Sequence, residues 1–178
     1  MIAATYILLA LGILGATDIL LYHSISHGIR SHKDSRWELL THSMRGPTYA
    51  ALFLIIPNFE TRGAWAIVIA LLLGIDVGIS IADFALERKS RANLGGLPSG
   101  EYVLHMIMAM LFGAFVTMLM PHLLRWIQAE TALIPSSDFA RAWMRLTLAA
   151  FAIGVLASGF LDAIAALRLS QKMHVGPT

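Results

Sequence analysis

Apolar residues run along this chain in long blocks, and polar residues are confined to the gaps and to a few positions inside the blocks. A membrane-crossing helix needs roughly 20 consecutive, mostly apolar residues. Five stretches reach or approach that length: 2–22 with a continuation past His23, then 37–56, 63–87, 100–126 and 142–169. The second is the most polar. It holds Glu38, His42 and Arg45, and its Gly46-Pro47 step predicts a kink. The pattern therefore predicts one domain, 1–178: an all-α integral membrane bundle of five transmembrane helices. Leu94-Gly95-Gly96-Leu97-Pro98-Ser99 is turn chemistry ending in a serine placed to cap the fourth helix, with Glu101 in its first turn. Trp37, Trp65, Trp126 and Trp143 fall near span ends, as interfacial anchors do.

The gaps give orientation. Arg30, Lys33, Arg36, Arg88, Lys89, Arg91, Arg168 and Lys172 lie in the first and third connections and the C-terminal tail, against Arg62, Arg125, Arg141 and Arg145 on the other side. The positive-inside bias puts the N-terminus outside and the C-terminus in the cytoplasm, which agrees with an odd number of spans. The expected location is the cell membrane, multi-pass, and the inner membrane if the source is bacterial. The first stretch has no basic n-region, so it reads as a retained helix rather than a cleaved signal.

Composition sharpens this picture. Only 13% of the 178 residues are charged, where a soluble domain carries about a quarter. Mean hydropathy is +0.71. A net charge of +2, with basic residues spread between spans, does not point to nucleic acid. The absence of cysteine excludes disulfides and thiolate metal sites.

Ionisable groups inside spans are costly, so each is a candidate functional residue. The first span carries Asp18 with His23 and His27 near its end, and the second carries Glu38 and His42 near its start. The third carries Asp76, Asp83 and Glu87, the fourth Glu101 and His105, and the fifth Asp162. With the topology above, all converge within roughly 15 Å of the cytoplasmic interface, at 1.5 Å per residue. Asp76, Ser80, Asp83 and Glu87 follow steps of four, three and four, one stripe on one helix face. A faint repeat joins two hairpins: Asp18, basic loop, Glu38-x-x-x-His42, and Asp83, basic loop, Glu101-x-x-x-His105.

This constellation is similar in logic to soluble di-iron bundles. Those use a Glu from each of two helices and a Glu-x-x-His from each of two others. Here the step is four instead of three. The resemblance implies a four-helix core around a dinuclear site. Carboxylates and imidazoles suit iron first, with zinc or manganese as alternatives. The metal candidates are Asp18, His23, His27, Glu38, His42, Asp83, Glu101 and His105. Asp76 and Glu87 are candidate proton-transferring residues, and Arg45 and Asp162 supporting ones, with Arg45 expected to neutralise Asp76 or Asp162. Ser80, Ser158, Gly154 and Gly159 read as helix-packing contacts. For any one of these residues alone, structural pairing or contact with interfacial water is the blander account. The convergent set as a whole favours a metal site.

Four functions compete. The first is a di-iron-like membrane oxidoreductase acting on a lipid-soluble substrate near the cytoplasmic leaflet, fed by an electron donor. Membrane desaturases and hydroxylases resemble this in the placement of their iron site. The second is a zinc-dependent membrane hydrolase. The third is a metal-ion or proton transporter, and the fourth a haem-binding bundle with His42 and His105 as axial ligands. The bilayer is the expected partner, a homo-oligomer is open, and nucleic acid is not expected.

Overall fold

The computed structural model describes residues 1–26 and 28–174, with side chains as far as Gln171. Five helices form where the apolar blocks lie. These are α1 (Ile2–Asp18), α2 (Arg36–Ile55), α3 (Ala64–Arg91), α4 (Ser99–Trp126) and α5 (Ala142–His174). Past Asp18 the first helix continues as a π-helical segment, Ile19–Ser26. A two-stranded antiparallel ladder, β1 (Phe59–Arg62) with β2 (Ala132–Pro135), ties the α2–α3 connection to the α4–α5 connection.

The helices close a ring in the order α1, α5, α2, α3, α4. The α2–α5, α1–α4 and α2–α3 seams are extensive, while α1–α5 and α3–α4 meet more sparsely. Glycines set the tightest seam: a Cβ on Gly46 would sit 3.0 Å from the Val155 carbonyl oxygen and 3.5 Å from the Gly159 Cα. Small residues of this kind let two helix backbones approach.

Four segments are long and apolar enough to cross a membrane: Ile2–Ser26, Ala64–Leu94, Ser99–Trp126 and Ala142–Gln171. By the same measure α2 is too polar, although it packs as fully as the others. Its polar side chains face the ring. Burial is reversed relative to a soluble protein: Leu71, Ile81, Met110, Leu146 and Ile153 face outward, while Asp76, Arg91 and Glu101 are buried. Lipid is the solvent that makes such a surface favourable.

The interior divides in two. Toward the β-ladder it is apolar, built from Leu8, Leu52, Phe53, Ile69, Phe115, Leu119 and Leu148. The opposite half holds the acids, histidines and arginines.

Several local expectations are corrected. Trp126 is buried against Phe139 and His122 and is no interfacial anchor, whereas Trp37, Trp65 and Trp143 are exposed. Pro98, not Ser99, occupies the cap position of α4, and no side-chain cap bond forms there. A Cβ on Gly154 would meet nothing within 4 Å, so that glycine makes no close packing contact.

Gly63 joins the ladder to α3 at φ 57°, ψ −124°, and its N–H donates to the Trp126 carbonyl at 2.8 Å. A side chain there is strained and would lie 2.6 Å from the Thr131 Cα. Gly63→Ala is therefore expected to lose about 1–3 kcal/mol, read as a lower melting temperature in detergent.

Candidate metal centre

Asp18 ends the regular turns of α1. His23 follows five residues later, which on an α-helix would point it about 140° away, at 3.6 residues per turn. The π-helical segment closes its hydrogen bonds at i+5 and so stacks residues five apart. It brings His23 Nε2 to 3.3 Å from Asp18 Oδ2. From α4, Glu101 and His105 project together because a step of four keeps one face. His105 Nε2 lies 3.2 Å from Asp18 Oδ2, and Glu101 Oε1 lies 3.6 Å from His23 Nε2. These four side chains are buried, and each offers one ligand atom such that all four lie within 4.8 Å of one another. Metal–ligand bonds of about 2.0–2.2 Å would draw such a set together with small side-chain shifts.

A second group, His23, Glu38 and His42, meets the same distance condition and shares His23 with the first. The His23 and His42 rings stack at 4.4 Å, 5° from parallel.

Arg91 holds the two groups in place. Its side chain is wholly buried; Nη1 donates to Glu38 Oε2 at 2.8 Å and Nη2 to Glu101 Oε1 at 2.6 Å. The neighbouring Ser90 hydroxyl donates to the Ser35 hydroxyl at 2.8 Å, fixing the end of α3 against the turn before α2. Around this point the buried acids Asp18, Glu38, Glu87 and Glu101 gather, and the one guanidinium among them, Arg91, pairs with Glu38 and Glu101 only. That is an excess of negative charge for a buried site unless cations or protons join it.

The remaining predicted residues occupy other positions. Glu87 Oε1 is 2.9 Å from His105 Nδ1, the ring nitrogen away from Asp18. Asp83 is not in the four-residue cluster: it accepts from Thr41 at 2.7 Å and from Arg45 Nη1 at 3.1 Å, with His42 Nε2 at 3.3 Å. Asp76 lies deeper, 3.6 Å from Arg45 Nε and close to Tyr49. Arg45 thus neutralises Asp76 and Asp83. Asp162 belongs to Arg30 instead, whose Nε donates to it at 2.6 Å and whose Nη2 donates to Ser158 at 2.9 Å. Ser80 likewise accepts from Arg45 at 3.1 Å, so both serines hold arginines and are not mere packing contacts. His27 lies outside the described residues. His122 is at the other end of α4, 3.0 Å from Arg125.

Buried Asp18 Oδ1, His23 Nε2, Glu87 Oε1 and His105 Nδ1 find no hydrogen bond of good geometry. A cation among Asp18, His23, Glu101 and His105 would satisfy Asp18 and His23, while Glu87 Oε1 and His105 Nδ1 lie 2.9 Å from each other. Asp18, His23, His42, Asp83 and His105 also line a cavity of about 620 Å³ at the centre of the ring. Its other walls are mostly apolar, among them Leu11, Phe53, Met108, Phe112 and Phe151.

Two features escaped the sequence reading. Arg91 counts there as a loop charge, yet it continues the α3 stripe one step of four beyond Glu87, and that spacing is the signal. Arg30 looks like another loop charge, and its partner Asp162 is too distant in sequence for any local pattern to reveal.

Comparison of the chain with protein-family models, curated proteins and solved structures found no match in any of the three.

Proposed function

We propose that the chain is a membrane-embedded metalloenzyme that oxidises a lipid-soluble substrate at a single divalent metal ion. The observation that carries this reading is the buried quartet Asp18, His23, Glu101 and His105 at the polar end of an apolar-walled cavity. Such a cavity falls in the size range that takes a small organic ligand. In this reading α2 crosses the bilayer with the other four helices. The polar end faces the cytoplasm, because the exposed basic residues Lys33, Arg88, Lys89 and Arg168 lie there.

The count of one ion, where a di-iron analogy would give two, follows from Arg91 and His23. The guanidinium already supplies positive charge between Glu38 and Glu101, where two ions would share carboxylates. His23 is common to both candidate groups. The choice of iron or manganese follows from coordination number. Four protein ligands fill a tetrahedral zinc site, which is the closed, structural arrangement. Six-coordinate metals keep positions open for substrate and dioxygen.

The ion supplies Lewis acidity and one-electron chemistry; the protein side chains do the rest. Asp18, His23, Glu101 and His105 hold it. Glu87 fixes the ring of His105 through Nδ1, the carboxylate–histidine pairing found beside ligating histidines. Arg91 and Glu38 fix Glu101. His42, Asp83, Arg45, Asp76 and Tyr49 form a polar chain from His23 into the cavity, with Asp76 as the proton carrier. Ion transport is the weaker reading, because the apolar core closes the far half of the ring.

Elemental analysis of detergent-purified protein tests this reading. The expected result is about one iron or manganese per chain and dioxygen uptake by the reduced protein, with Glu87→Gln weakening metal affinity roughly 10–100-fold. One tightly held zinc with no response to dioxygen would overturn the oxidoreductase assignment.

A further inference from the structure

One face of α5 links the metal cavity to the surface. Gly154, Ser158 and Leu161 line the central cavity. Leu161, Ala165 and Arg168 line a second, open cavity of about 980 Å³ at the polar end, with Arg30, Ser31 and Gln171. The steps along the helix are four, three, four and three, which keeps all five positions on one side. Arg30 and Leu161 border both cavities.

We propose that this track binds one chain of an anionic lipid, its phosphate-class headgroup against Arg168 and Arg30 and its tail lying between α1 and α5 toward the metal centre. Two observations carry the assignment. The first is charge. Arg168 is exposed and forms no hydrogen bond or ion pair among the described residues, and Arg30 is held beside it by Asp162 and Ser158. A phosphate accepts hydrogen bonds from two guanidinium groups readily. The second is space. The α1–α5 seam is sparse, and Cβ atoms on Gly15 and Gly154, which both line the central cavity, would meet nothing within 4 Å. A basic groove at the level of the headgroups, continuous with an apolar slot, matches an amphiphile better than a wholly apolar molecule.

The inference deepens the metalloenzyme reading by naming its substrate class, but lipid binding can be measured without it. Detergent-purified full chain is titrated with lysophosphatidic acid and with the monoacylglycerol of the same chain length, bound lipid being counted by native mass spectrometry. Lysophosphatidic acid is expected to bind at least about tenfold more tightly, the equivalent of one net charge-assisted contact. Arg168→Glu is expected to abolish that preference. Gly154→Leu, at a position where an added Cβ meets nothing within 4 Å and the larger side chain narrows the slot, is expected to weaken both lipids by about tenfold or more. Inorganic phosphate at equal concentration should not displace the lipid. Equal binding of the two lipids, a preference that survives Arg168→Glu, or displacement by inorganic phosphate would overturn the proposal. His105→Ala separates the two readings: it removes the metal if the metal centre is correct and leaves the lipid preference in place.

Discussion

Arg91→Met will be the most damaging single substitution in this protein. Arg91 is the largest of the wholly buried side chains, and both of its ion pairs are to buried carboxylates. Methionine keeps much of the volume and removes the charge, so the loss isolates electrostatics from packing. Breaking a buried pair from one side typically costs about 3–5 kcal/mol, because the partner charge is left without compensation. Here two partners are left. The expected outcome is protein that fails to accumulate or that melts far below the unaltered chain. Arg91→Lys recovers only part, since one ammonium cannot fork to both carboxylates. Arg91→Met combined with Glu38→Gln recovers more, since it removes one of the stranded charges. Excess divalent metal should also raise the stability of Arg91→Met, because an ion on Glu101 replaces part of the lost charge. Unchanged stability of Arg91→Met would show that Glu38 and Glu101 are protonated and that the guanidinium does not organise the site.

The second large effect is on metal content. Asp18→Ala and His105→Ala each remove one of four ligands, and each is expected to reduce metal affinity at least about 100-fold, beyond the 10–100-fold of an outer partner. Asp83→Asn is the discriminating control. In the sequence repeat Asp83 is the counterpart of Asp18, but in the fold it is tied to Arg45 and Thr41. It should therefore keep its metal. Metal removal should also lower the stability of the unaltered chain, by about 2.7 kcal/mol when free metal stood at 100 times its dissociation constant. Equal metal loss from Asp18→Ala and Asp83→Asn would move the centre toward His42.

The contrast between Asp18 and Asp83 marks how far the sequence was legible. Helix positions follow from apolar block length, because lipid demands long apolar surfaces and internally bonded backbone. The helix ends of α2, α3 and α4 fall within a few residues of expectation, as element ends do. The polarity of α2 was also readable, although its composition separates it from the four clearly apolar segments. Convergence of acids and histidines on one end was legible from alternating helix directions. Their pairing was not. The π-helical segment that unites Asp18 with His23 depends on backbone register, and no residue type encodes it strongly. The four-residue β-ladder is too short and too mixed to stand out. Arg30 and Arg91 were hidden by their position near loops, where basic residues have a second physical reason to occur. A stripe-based reading that ran past Glu87 would have found Arg91, whereas Arg30 and Asp162 meet only after the ring has closed.

The central claim is that Asp18, His23, Glu101 and His105 hold one ion between them. Anomalous diffraction from crystals of the purified protein, collected on both sides of the absorption edge of the bound metal, measures this directly. The account predicts one peak, bonded to those four side chains, with Glu87 beside His105 and Arg91 beside Glu101. Two peaks of comparable height flanking His23, or a single peak on Asp83 or at His122, would contradict it.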